Sequence, residues 1–168
     1  MIMKKMPARV ESLHELLTFI RAEAKKRGFS ESALSRIELV AEEALVNVFV
    51  HGYAKSQGQV EVRCLVTDDP SLTIEIHDTG VAFDPLSLAD PDVQSDLTKR
   101  KIGGMGVFFI RKMTDRVAYG REGNSNILAM TFLNRCIRQA FAFTLFHPSI
   151  RNICMMSLRH CERSEAIS

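Results

Sequence analysis

Ala41-Glu42-Glu43-Ala44-Leu45-Val46-Asn47 is the stretch on which the reading of this chain turns. Glu43 and Asn47 are four residues apart, so a helix places a carboxylate and an amide on one face, one turn from each other. Neither belongs in an ordinary apolar core. The surrounding residues supply the helix. Ser30 caps its start, Leu34, Ile37, Ala41, Ala44, Leu45 and Val48 recur at helical spacing, and Gly52 lies near its end. A helix is therefore expected from about Ser30 to His51, with the polar pair riding on a core-packed element.

Upstream, Val10, Leu13, Leu17, Ile20 and Ala24 form an apolar helical stripe, and Arg21, Lys25, Lys26 and Arg27 load its last turns before Gly28. Downstream, Gly52 to Gly58 reads as a loop. Val60, Val62, Cys64 and Val66 then alternate with polar or flanking residues, as do Leu72, Ile74 and Ile76, with Asp68-Asp69-Pro70 between them, which predicts a β-hairpin. Asp78-Thr79-Gly80-Val81-Ala82 follows the second strand. Asp84 to Ile102 holds Pro85, Pro91 and four Asp with few large apolar residues, and reads as a long functional loop, a lid. Gly103-Gly104-Met105-Gly106 opens a helix to about Thr114, and two strands, Val117–Tyr119 and Ile127–Leu133, flank a turn from Arg121 to Asn126. Runs of strands with segregated helices argue for an α/β (α+β) two-layer sandwich.

The 168 residues, 46% hydrophobic and 25% charged, suit one globular domain. The formal net charge of +2 is uneven: five Arg and two Glu fall in residues 134–168, leaving 17 basic and 18 acidic residues before them. The main domain thus has no basic field that calls for direct contact with nucleic acid. No run approaches the ~20 apolar residues that span a bilayer, and the N-terminus lacks an apolar signal core, so a cytoplasmic protein without a membrane partner is expected. Cys64, Cys136, Cys154 and Cys161 show neither Cys-x-x-Cys pairing nor metal spacing and read as reduced thiols.

Glu43-Ala-Leu-Val-Asn47 with His51-Gly52-Tyr53, then Asp78-Thr-Gly80 with Phe83-Asp84-Pro85, then Gly103-Gly-Met-Gly106-Val107 resemble, in this order, the N box and two glycine boxes of the GHKL (histidine-kinase-like) ATPase superfamily. More narrowly, they resemble its anti-sigma factor serine/threonine kinases, in which a Glu opens the N box. The resemblance spans about residues 5–133. It implies a Bergerat-type fold, a mixed, mainly antiparallel sheet covered by helices on one face, that binds ATP and Mg2+. It assigns Mg2+ to the Asn47 carbonyl oxygen, the catalytic base to Glu43 and the adenine amine to Asp78. Nucleotide contacts are assigned to Gly80, Ala82, Gly103, Gly104, Met105, Gly106, Val107 and Asn126.

Blander readings stand beside these. An Asn in a helix is often satisfied by local hydrogen bonds, Asp-Thr-Gly can be a plain turn, and Glu42, about 100° round the helix from Glu43, reads as solvated surface. Lys99, Arg100 and Lys101, just before the second glycine box, read either as phosphate contacts made when the lid closes or as a solvated basic cluster. Two positions depart from the family pattern. Ala82 replaces a Gly common in the superfamily, and Ser125-Asn126 stands where many relatives carry Gly-Thr, whose hydroxyl helps hold a base-bound water.

The resemblance implies a homodimeric partner-switching kinase. It would sequester an RNA polymerase sigma factor and phosphorylate an anti-anti-sigma antagonist protein on Ser or Thr. The alternative is a non-catalytic ATP-binding module controlling a different partner. The detached ATP-binding domain of a sensor histidine kinase fits less well, because no dimerisation helix with a phosphorylatable His precedes the N box and Glu43 opens it. The domain is expected to occupy residues 1–133. Residues 134–168 form an atypical tail whose close, from Ser157 to Ser168, resembles translated repeat DNA and reads as a read-through end.

Overall fold

The computed structural model describes residues 1–53, 57–65, 70–87 and 105–135. Among the described residues, five strands form one sheet in the order β1-β2-β3-β5-β4, with β1 Ile2–Pro7, β2 Gln59–Leu65, β3 Ser71–Asp78, β4 Arg116–Glu122 and β5 Ser125–Leu133. All four pairings are antiparallel, so no parallel ladder joins the described strands where a mixed sheet was expected. Three helices, α1 Leu13–Lys26, α2 Glu31–Asn47 and α3 Met105–Met113, make the second layer. None of the described helices is long and apolar enough to cross a membrane.

Alternation builds the core. Val60, Val62 and Cys64 of β2, Leu72, Ile74 and Ile76 of β3, and Leu128, Met130 and Phe132 of β5 are buried against Leu16 and Ile20 of α1 and Leu34, Ile37, Val40, Ala41 and Leu45 of α2. Burial pushes the Cys64 thiol up to about 11, which suits a packed, unreactive side chain. Helix α1 ends at Gly28, whose φ of 70° is left-handed and whose N–H bonds back to the Lys25 carbonyl. Two residues on, the Ser30 hydroxyl accepts from the Ala33 amide at 3.3 Å and starts α2.

Strand β1 was not expected. Lys4 and Lys5 interrupt its apolar alternation, yet register with β2 turns Lys4 to the helical side opposite Val62, where its Nζ pairs with Glu15 of α1 at 2.6 Å. A charge pointing inward from an edge strand discourages unwanted pairing. The second departure lies at the end of α2. The regular helix stops at Asn47, and Val48–Gly52 forms a wider π turn, a rare geometry often found at functional sites.

Residues 88–102 of the expected lid, with the Lys99–Lys101 cluster, and the tail from 136 lie outside the described residues. The first part of the lid is held in place. Asp84 Oδ1 accepts from the Leu86 amide at 2.8 Å, Pro85 is buried, and Arg111 of α3 donates to the Leu86 carbonyl. Past β5, Asn134 is buried. Its side chain donates to the Arg27 carbonyl at 3.0 Å and its N–H to the Pro70 carbonyl at 2.8 Å.

Candidate functional site

The end of β3 and the start of β5 are set side by side by register alone. His77 faces Ile127, and Asp78 faces Asn126, 48 positions away. Both polar residues are buried, at 7% and 5% exposure, where an unpaired carboxylate would be costly. Asp78 Oδ1 therefore accepts from the Gly80 amide at 2.7 Å and from Asn126 Nδ2 at 3.0 Å. Its Oδ2 makes no hydrogen bond among the described residues and is left for an external donor.

These groups form the floor of a cleft. Asn47, Val48 and Gly52 of α2 and the π turn make one wall, and Ile76, Leu128 and Tyr119 make the other. Val81, Phe83 and Pro85 form an apolar lip, with Val81 67% exposed. The Phe83 ring also meets His51 of the π turn at 6.1 Å between centroids. A mainly apolar cleft with a few convergent polar groups is the usual form of a small-ligand site.

Gly80 joins the π turn to the end of β3. A Cβ there would lie 2.6 Å from the Gly52 carbonyl oxygen and 2.9 Å from Asp78 Oδ1, so only glycine admits this approach. Val81 then donates its N–H to the Gly52 carbonyl at 3.2 Å. Tyr53 braces the same corner: its hydroxyl accepts from the Thr79 amide at 2.7 Å and donates to the Gln59 carbonyl at 3.1 Å.

Asn47 faces this cleft with its amide nitrogen buried and without a hydrogen-bond partner among the described residues. The locally satisfied reading of this residue has no bond to support it. One turn earlier, Glu43 is half-buried while Glu42 is exposed. Glu43 lies against the first turn of α3, so close that a Cβ on Gly106 would fall 2.3 Å from its Oε2. Backbone N–H groups at a helix start favour negative charge there.

The structure thus brings Asn47, Asp78 and Asn126 to one cleft, with Gly80 packed against Asp78 beside it and Glu43 and Gly106 in contact one helical turn away. Val107 is buried, 5% exposed, behind the α3 start. Ala82 is exposed beside the lip. Met105 begins α3, and Gly103 and Gly104 lie outside the described residues. Sequence reasoning missed Phe83 as a lip residue, and it missed Tyr119 and Arg121. Their signal was present: Val117, Tyr119 and Arg121 alternate along β4, opposite Met130, Leu128 and Asn126.

Asn126 does not take the role expected from a Thr-like position. Its Oδ1 accepts from Tyr119 Oη at 2.8 Å and Arg121 Nη1 at 2.5 Å. Its Nδ2 donates to Asp78 and, at 3.1 Å, to the Val81 carbonyl. All four hydrogen-bonding valences of the amide are used, so none is left to hold a water on a base.

Comparison with known proteins adds four findings. Residues 6–132 match the histidine kinase-like ATPase domain family. The serine-protein kinase RsbW of Listeria monocytogenes is 26% identical over 116 residues, covering 66% of this chain and 73% of the relative. The anti-sigma F factor of Clostridium acetobutylicum is 30% identical over 93 residues, covering 51% of this chain and 59% of that protein. Among solved structures, a blue-light activated histidine kinase of Erythrobacter litoralis aligns with a TM-score of 0.49 and 18% identity over 66% of this chain and 33% of that one.

Proposed function

This chain belongs to the histidine kinase-like ATPase domain family, and from that membership we propose an ATP-dependent anti-sigma serine/threonine kinase of the partner-switching type. One observation carries the reading. Asn47 lines the cleft floored by Asp78 with its Nδ2 buried and without a partner among the described residues, one helical turn from a carboxylate seated at a helix start. Such an amide costs stability, and bound ligand chemistry accounts for keeping it.

In this reading Asp78 Oδ2 accepts from the exocyclic amine of adenine, and a guanine carbonyl at that place is rejected because two acceptors meet. Val81, Phe83 and Pro85 supply the apolar surface along the base. Mg2+ takes one or two protein oxygens together with phosphate oxygens and waters: the Asn47 side-chain oxygen would hold it, and the chemistry it would supply is charge neutralisation on the triphosphate.

Glu43 orients the Ser or Thr hydroxyl of the antagonist and accepts its proton. The hydroxyl oxygen forms the new bond to the γ-phosphorus as the bond to the ADP oxygen breaks. Phosphoryl transfer is largely dissociative, so the base acts mainly by positioning and takes the proton late. The added phosphate then expels the antagonist by charge and desolvation. By the same kinship we take the protein to act as a homodimer in the cytoplasm, holding a sigma factor when the antagonist is phosphorylated.

The test is incubation with γ-labelled ATP, Mg2+ and the antagonist encoded beside it. Label on an antagonist Ser or Thr, abolished by Glu43→Gln with ATP affinity kept, is the expected result. Tight ATP binding with no label transferred would replace this reading by a non-catalytic ATP-binding module, and no ATP binding would overturn both.

A further inference from the structure

Tyr119 and Arg121 stand one alternation apart on β4 and both donate to Asn126 Oδ1. A guanidinium has no acceptor. Arg121 therefore settles which end of the Asn126 amide is oxygen, a choice that geometry alone leaves open. With Oδ1 held towards β4, Nδ2 must point at Asp78 Oδ1 and the Val81 carbonyl. Without that hold the amide keeps only its Nδ2 bonds to two acceptors, Asp78 Oδ1 and the Val81 carbonyl, and loses the anchor on β4 that fixes where those bonds are made.

We infer that the Tyr119–Arg121 pair, acting through Asn126, is a positioning device for base recognition: it holds Asp78 with Oδ2 presented to the 6-amino group of adenine. The inference rests on the nucleotide reading above and adds to it the residues that set selectivity. Neither Tyr119 nor Arg121 has to touch the base for this. The same Asn126 amide, through the Val81 carbonyl, fixes the first residue of the apolar lip, so the polar reader and the stacking wall are placed by one side chain. Where many relatives carry a hydroxyl on a water, this chain substitutes direct contact with the reading carboxylate.

The probe is purine riboside triphosphate, which lacks the 6-amino group and keeps the triphosphate. Affinities for it and for ATP, with Mg2+, are measured by calorimetry on the full chain and on the Tyr119→Phe/Arg121→Met pair. The wild type should prefer ATP by about tenfold or more, the value of a hydrogen bond to a charged group. In the paired variant this preference should collapse towards one, and thermal melting of the same sample shows that the variant is folded. Tyr119→Phe/Arg121→Lys, which retains a donor-only group, should keep most of the preference.

An unchanged preference in the Met pair, an equal loss in the Lys pair, or a wild type that binds both triphosphates equally would overturn the inference and leave the proposed kinase standing. A wild type that binds neither triphosphate would overturn the kinase reading, and this inference with it.

Discussion

Replacing Gly106 by alanine separates the position of Glu43 from its presence. The new Cβ would fall 2.3 Å from Glu43 Oε2, 3.3 Å from its Cδ and 3.6 Å from its Cβ. The close contact is with the far end of a flexible side chain, so the carboxylate retreats rather than the backbone. Restoring van der Waals separation moves that oxygen by about 1 Å. Glu43 makes no hydrogen bond among the described residues, so the retreat breaks none there. Alanine meanwhile suits the first turn of α3 better than glycine by up to about 0.5–1 kcal/mol. The expected result is a melting temperature unchanged or raised by roughly 2–4 °C, with ATP affinity little altered. The single-turnover rate of transfer to the antagonist should fall about 100-fold, the usual effect of a 1 Å misplacement. Calorimetry, thermal melting and quenched-flow transfer read the three quantities. Transfer at the wild-type rate would show that Glu43 does not act from the position in which α3 holds it.

Asn47→Leu should raise stability by about 1 kcal/mol in urea, because it removes a buried amide without a partner, while calorimetry finds Mg2+-dependent ATP binding lost. Gly80→Ala meets backbone at 2.6 Å and should cost about 1–3 kcal/mol in urea. Gly52→Ala, whose nearest contact is 3.6 Å, should cost far less. Burial alone would raise the Asp115 carboxyl, but the Leu133 amide, Arg135 and Arg36 outweigh it and hold it below the usual carboxylate range. Its contribution is therefore fully present above the unfolded value of about 3.9 and is lost as pH falls through the folded one. Urea unfolding should find wild type more stable than Asp115→Asn at pH 7, with the gap closing below about pH 4. Deleting residues 136–168 should leave thermal melting and ATP binding nearly unchanged, because the Asn134 bonds to Pro70 and Arg27 remain.

Much of the fold is written locally. The Ser30 cap, the Gly28 end and the alternation of β2, β3 and β5 are each decided by neighbouring residues and formed within about two residues of where expected, whereas Arg121 and Asn126, expected in a turn, lie in β4 and β5. Strand β1 was hidden because its inward Lys4 is explained only by Glu15 on another element. The π turn was hidden for a similar reason: Val48 to His51 has good helical spacing, and its wider geometry accompanies the contact of Gly52 with Gly80. At the site, Glu43 and Asn47 were legible from a single helical repeat. That Asp78 and Asn126 touch follows from a strand register between segments 48 residues apart, which no local pattern encodes. The saturation of Asn126 depends on that register twice, through Asp78 on β3 and through Tyr119 and Arg121 on β4.

The two halves of the cleft are fixed by independent means, and that has a mechanical consequence. Asp78 and Asn126 are placed by the β3–β5 ladder, where a slip of one residue would turn both away from the core. Glu43 and Asn47 are placed by the packing of α2, whose Ala41, Ala44 and Leu45 are buried. The halves meet at the Gly80–Gly52 contact, reinforced by the Val81 amide on the same carbonyl. A displacement of the π turn therefore acts on Asp78 and on the Asn47 amide together, since Gly52 touches one and continues from the other. Ligand bound between the halves stabilises that junction against local opening by mass action. Hydrogen exchange at the Val81 amide, slowed by ATP in proportion to its affinity and fast in Gly80→Ala, would report this coupling. Slowing that is absent from Val81 and confined to the sheet would show that the walls respond to ligand separately.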